Sequence, residues 1–295
     1  MIAPAAGKDR VTSFFELTKP RITAFILMST AVGFLFGSHL APDWTWWQLF
    51  HTLLGTGLIA SGTAALNQWY EAGHDALMRR TKARPIPSGR LTSLEALYFG
   101  VALSAAGFAE LCFGVNVLTG LLGLFTLASY LFVYTPLKRV SPISTTIGAI
   151  PGAMPPLIGY AAASGRLNFE AGILYAILFL WQFPHFYAIA WMYREDYARA
   201  GIRMLPVVEP DGDSTARRIV LFSMALVPIS LAPSFFAMAG NVYLFGALVL
   251  GALVLYAGFR VASQRTILRA RQVLLASVIY LPLLYGLLVF DGLHL

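Results

Sequence analysis

Asn67, Glu71 and Asp75 stand four residues apart in one polar run, and Arg79, Arg80, Lys82 and Arg84 follow them closely. On an α-helix a step of four residues turns about 400°, so the amide and the two carboxylates share one face and drift by about 40° per step. Oxygen donors grouped in this way suit Mg2+, which takes a few carboxylates and completes its shell with substrate phosphate and water. The bases that follow suit the other oxygens of a diphosphate, the arginines through two-point contacts. The ordinary alternative is a solvated loop whose charges neutralise one another; the dense spacing argues against it. A second charged run, Arg194-Glu195-Asp196-Tyr197 with Arg199 and Arg203, adds one carboxylate and further bases. Asp196 is expected to continue the preceding helix and to complete a metal set of Asn67, Glu71, Asp75 and Asp196. Arg79, Lys82, Arg84, Arg199 and Arg203 are the expected diphosphate contacts.

These runs must be held by membrane helices. Of 295 residues, 58% are hydrophobic and only 12% charged, and the mean hydropathy is +0.69. A soluble domain averages about 45–50% apolar and about 25% charged. A spanning helix needs about 20 mostly apolar residues, and nine stretches qualify: 22–40, 48–68, 92–112, 115–134, 143–162, 169–190, 217–237, 241–260 and 272–291. Residues 1–21 read as a cytoplasmic N-terminal segment without a cleavable signal, with an interfacial helix at 11–20. Residues 22–291 read as a single nine-helix membrane domain.

With nine spans, every Lys and Arg except Arg166 falls on one side. The positive-inside rule then sets the N-terminus in the cytoplasm and the C-terminus outside. Both polar runs lie on the cytoplasmic side, in the loops 68–91 and 191–216. The net charge of +7 comes from bases between spans, which points to anionic lipid or an anionic substrate and not to nucleic acid. A single Cys112 excludes a disulfide framework and a multi-cysteine metal site. A transporter of anionic substrates would also carry cytoplasmic bases, but it would place polar groups near the midplane.

One ionisable group does stand within a span. His185 lies in the sixth stretch beside Pro184, which frees a backbone carbonyl. Gly148 and Gly152, with Pro151, Pro155 and Pro156, mark the fifth stretch as broken or closely packed.

The run Asn67-x3-Glu71-x3-Asp75, continued by Arg79-Arg80-Thr81-x2-Arg84-Pro85, resembles the first signature of the UbiA superfamily of intramembrane prenyltransferases. Tyr134-Thr-Pro136-Leu-Lys138-Arg139, the Gly148–Gly159 stretch, Trp181-Gln182-Phe-Pro184-His185-Phe186 and Asp196-Tyr197-x2-Ala-Gly201-x2-Met204-Leu205-Pro206 are similar to its haem-directed branch, the protoheme IX farnesyltransferases. The likeness covers about residues 14–290. It implies an all-α, nine-helix bundle with a central cavity, capped by the two cytoplasmic loops, in a bacterial inner membrane. It implies Mg2+-dependent transfer of a farnesyl group from farnesyl diphosphate to a vinyl group of haem B, giving haem O for terminal oxidases. It also implies haem A synthase or terminal-oxidase assembly proteins as partners. Lys138 joins the expected diphosphate contacts. His185, Trp181 and Tyr134 become haem-binding candidates, with His185 an iron ligand, an orienting group, a base or an interhelical hydrogen bond. Tyr70, Tyr134, Tyr160 and Tyr187 are candidates to shelter an allylic cation. Another aromatic acceptor, such as a quinone precursor, is the alternative. Three positions depart from the pattern: Glu71 replaces an Asp, Ala200 stands where a second Asp is common, and Arg203 where a Pro is common.

Overall fold

The computed structural model describes residues 7–41 and 43–292, with side chains from residue 10 onward. Lys8 and residues 293–295, on which part of the expected orientation rests, lie outside the described side chains. Among the described residues all regular structure is helical.

The chain opens with α1 (Gly7–Leu17) and α2 (Pro20–Ser38). Pro20 occupies the first turn of α2, where its missing N–H is not needed. The run continues through α3 (Trp46–Asp75) and α4 (Ser93–Gly114). Thr45 Oγ1 caps α3 by accepting from the Gln48 amide at 3.1 Å. Thr92 and Glu95 close a reciprocal cap on α4, and Arg10 pairs with Glu95 to tie α1 to that end. The next crossing, α5 (Val117–Leu137), contains a π turn at Ser129–Tyr134.

The fifth expected span is two short helices, α6 (Ser144–Gly152) and α7 (Pro155–Ser164). The chain breaks between them because Pro155 and Pro156 supply no amide to continue the ladder. The remaining elements are α8 (Phe169–Met192), α9 (Arg194–Arg199), α10 (Leu205–Val208), α11 (Asp213–Phe235), α12 (Asn241–Ser263) and α13 (Ile267–Gly292). Among the described residues eight helices are long and apolar enough to cross a membrane: α2, α3, α4, α5, α8, α11, α12 and α13. The expected count of nine therefore rests on the broken pair α6–α7.

Packing follows the chain. Helix α3 packs on α4, α2 on α7, α8 on α11 and α13, and α12 between α11 and α13. Small residues permit the closest approaches. At Gly159 of α7 an added Cβ would overlap the Thr30 carbonyl of α2, and at Gly33 it would overlap that of Pro156. The outer surface keeps large apolar side chains exposed, among them Phe113, Phe132, Phe235 and Phe245. Lipid tails satisfy such a surface, since the helical backbone already pairs its own polar groups.

Two loop boundaries differ from expectation. Helix α3 runs to Asp75, so the first polar run is helical and the loop starts after it. Helix α8 stops at Met192; Tyr193 leaves helical geometry at φ −111° and ψ 20° before α9 begins. Asp196 therefore sits on a separate short helix and does not continue the preceding span.

Candidate active site

The last turns of α3 present Asn67, Glu71 and Asp75 to a polar chamber of about 190 Å³. Asn67 and Asp75 are buried. The Asn67 amide donates to Glu71 Oε2 at 3.0 Å and to Thr135 Oγ1 at 3.3 Å. Lys138 reaches Glu71 with Nζ 2.9 Å from Oε1 and 3.2 Å from Oε2. Arg84 meets Asp75 Oδ2 at 2.6 Å. The other oxygen, Asp75 Oδ1, is buried with no hydrogen-bond partner among the described residues.

A base that spacing did not flag completes this wall. Lys19 Nζ donates to Asn67 Oδ1 at 3.2 Å. Its backbone is left-handed, at φ 48° and ψ 59°, a conformation that costs a non-glycine residue energy. Pro20 disfavours the right-handed helical region for the residue before it, and the left-handed turn brings Lys19 to the chamber wall. Burial, with the positive charges of Arg84 and Lys138 beside it, pulls the Lys19 ammonium down to about 7. Burial also works against the charge on Lys138, but the Tyr134 ring and the Glu71 carboxylate outweigh it and hold that group above the ordinary lysine value.

The second loop roofs the chamber without giving it a carboxylate. Tyr197, Ile202 and Met204 line it; Asp196 does not. The Asp196 carboxylate accepts from the backbone amides of Arg79 and Arg80, each at 3.4 Å, and pairs with Arg199. The expected four-residue metal set is thus not brought together. Among the described residues no three His, Cys, Asp or Glu side chains converge. Of the expected diphosphate contacts, Arg84 and Lys138 line the chamber, while Arg79, Lys82, Arg199 and Arg203 are exposed and do not. Arg80 lines it instead, held by Tyr197 Oη at 3.0 Å and lying over the Tyr193 and Tyr197 rings. Arg203 acts through its backbone, whose amide donates to the Lys138 carbonyl at 2.8 Å.

Next to the polar chamber lies an apolar one of about 450 Å³. Lys19, Ile22, Tyr130, Tyr134, Gly148, Phe186 and Ile189 line both. The π turn in α5 presents Tyr130 and Tyr134 together, with ring centroids 4.9 Å apart. Thr135 satisfies the widened turn by donating to the Tyr130 carbonyl at 2.8 Å. Gly148 leaves room for the Tyr134 ring, which an added Cβ would meet at 2.5 Å. Trp181, Gln182 and His185 line the apolar chamber from α8. Gln182 Nε2 donates to the Ala149 carbonyl at 3.1 Å, one of the groups near the break between α6 and α7.

The model of the UbiA prenyltransferase family matches residues 26–285. The chain belongs to that family. A chain from Solibacter usitatus, named protoheme IX farnesyltransferase, is 62% identical over 94% of this chain and 98% of its own length. One of the same name from Koribacter versatilis is 47% identical, covering 94% and 92%. Among solved structures, a digeranylgeranylglyceryl phosphate synthase superposes with a TM-score of 0.80 at 17% identity, over 97% of this chain and 99% of its own. A UbiA homologue from Archaeoglobus fulgidus bound to GPP and Mg2+ superposes at 0.64 and 16% identity, over 94% and 99%. UbiA membership makes the chain a multi-pass membrane prenyltransferase and not a transporter. The oxygen donors of its polar chamber fit the hard-cation chemistry expected from the sequence: an amide oxygen, the Glu71 carboxylate and the unpartnered Asp75 Oδ1.

Proposed function

We propose that the chain transfers the farnesyl group of farnesyl diphosphate to a vinyl group of haem B, producing haem O. The observation that carries this reading is the junction of the two chambers. A charged pocket suited to a diphosphate opens beside an apolar one suited to a prenyl chain and a porphyrin, and two tyrosine rings stand between them. The names of the relatives at 62% and 47% identity support the same acceptor.

In this reading Asn67, Glu71 and Asp75 hold Mg2+. Bound there, the cation would neutralise charge on the departing diphosphate. Lys19, Arg80, Arg84 and Lys138 bind the other phosphate oxygens. To do so Arg84 and Lys138 must loosen their grip on Asp75 and Glu71, so substrate and cation replace internal ion pairs together. The C–O bond breaks with its electron pair leaving on the diphosphate. The Tyr130 and Tyr134 rings face the allylic cation that remains. A haem vinyl group attacks it to form the C–C bond, and water adds to the neighbouring carbon with loss of a proton. The roof of Tyr197, Ile202 and Met204 keeps other water out until then.

The bacterial inner membrane, a cytoplasmic N-terminus and an outer C-terminus complete the proposal. Haem A synthase or terminal-oxidase assembly proteins are its proposed partners. The test is to incubate the purified full-length chain with haem B, farnesyl diphosphate and Mg2+ and follow haem O by mass. Formation of haem O supports the assignment. Prenylation of 4-hydroxybenzoate without haem O would move the chain to another acceptor.

A further inference from the structure

A short run of hydrogen bonds anchors the His185 ring through Nδ1. Ser277 of α13 donates its hydroxyl to the Leu274 carbonyl at 2.7 Å. The same oxygen lies 2.9 Å from His185 Nδ1. While its one proton is given to Leu274 the ring must donate from Nδ1, and that tautomer leaves the Nε2 lone pair free. Trp181 fixes the ring plane. It stacks on His185 with centroids 4.9 Å apart and planes 27° apart, and its Nε1–H donates to the Ser277 carbonyl at 2.7 Å. Nε2 has no hydrogen-bond partner among the described residues, and the ring lines the apolar chamber.

One nitrogen tied to an outer acceptor and the other bare towards a cavity is the arrangement of a metal-ligating histidine. A bare metal ion has no place among these apolar walls. A metal carried in a flat apolar macrocycle does. Resting on the proposed haem acceptor, we propose that His185 Nε2 is the axial ligand of the substrate's iron and that Ser277 is its positioning residue. Phe186 and Ile189 follow on the same helix and line both chambers. Ile189 lies four residues on, about 6 Å along the axis. A porphyrin anchored at His185 therefore extends an edge to the junction, where a vinyl group meets the prenyl carbon. The ligand thus sets how far the macrocycle's edge lies from the junction.

The test uses the purified full-length chain with ferric haem B and with metal-free protoporphyrin IX. The wild type shows a histidine-ligated haem spectrum and binds haem more tightly than the metal-free ring. His185→Ala loses that spectrum, added imidazole restores it, and the two porphyrins bind alike. The KM for haem rises at least about tenfold, on the scale of losing a ligand-shell contact, while that for farnesyl diphosphate is unchanged. Ser277→Ala keeps histidine ligation with a shifted spectrum and weaker haem binding. An unchanged haem spectrum in His185→Ala, or a wild type with no preference for haem over the metal-free ring, overturns the inference. Either result leaves the proposed function standing if haem O still forms, whereas a wild type that makes no haem O removes that function itself.

Discussion

The two chambers handle charge in opposite ways. The polar one pairs most of its groups internally, Glu71 with Lys138, Asp75 Oδ2 with Arg84, and Asn67 between Lys19 and Glu71, and leaves Asp75 Oδ1 open. The apolar one is walled mostly by apolar side chains, with the His185 ring held in place by Ser277 among its few polar groups. A charged pocket that already satisfies itself discriminates by exchange, since a ligand must bring charges that replace the internal pairs. An apolar pocket discriminates by shape and by one directed contact. The diphosphate and the macrocycle can then be recognised a few ångströms apart by different means.

That contrast can be broken most directly at Asp75. Asp75→Asn removes an oxygen charge from the polar chamber and is expected to lower kcat at least about a hundredfold, the scale of losing a preorganised electrostatic contact. Haem binding, read from the absorption spectrum, should stay as in the wild type. Loss of haem binding together with activity would mean that the chambers are not independent. Gly148→Val is the next largest. It forces a branched side chain into the Tyr134 ring, and overpacking of this kind costs about 1–3 kcal/mol. Thermal unfolding in detergent should show the loss, and the KM values for both substrates should rise because this wall is shared. Lys19 lines both chambers, but Lys19→Met removes its donor from the polar wall and should act chiefly there. A hydrogen bond to a charged group contributes about 1.5–3 kcal/mol, so the KM for farnesyl diphosphate should rise about tenfold and that for haem by less. Asp196→Asn should be the mildest. Arg199 is well exposed, so the pair is screened, and the stability loss should be about 1 kcal/mol, mainly from the two amide contacts. A large rise in the Mg2+ concentration needed for activity would return Asp196 to the metal ligands.

The sequence made the α3 face readable because its periodicity is local: Asn67, Glu71 and Asp75 need only a helix to align. Helical bundle and family were legible for the same reason, since apolar length and a charged run survive without knowledge of packing. What escaped depends on contacts between distant segments or on backbone irregularity. Lys19 was counted only for its charge, yet it meets Asn67 across 48 residues of chain. Asp196 was read as an extension of α8 because nothing in Trp191-Met192-Tyr193 announces the break. Ser277 is an ordinary small residue of a span until Leu274 and His185 are seen on either side of its hydroxyl. The break between α6 and α7 was signalled by its prolines, although the expected span ran through it.

The π turn at Ser129–Tyr134 carries one more consequence. A π turn amounts to one residue inserted into an α-helix, and each residue of an α-helix advances it by about 100°. It works as a phase shifter. The first part of α5 keeps a register that turns Leu121, Leu124 and Phe125 outward, and the last part is rotated so that Tyr130, Tyr134 and Lys138 face the chambers. Wound as an unbroken α-helix, the same residues would turn the far end by about 100° and carry Lys138 away from the chamber, whereas removing one residue together with the turn would leave the two ends in step.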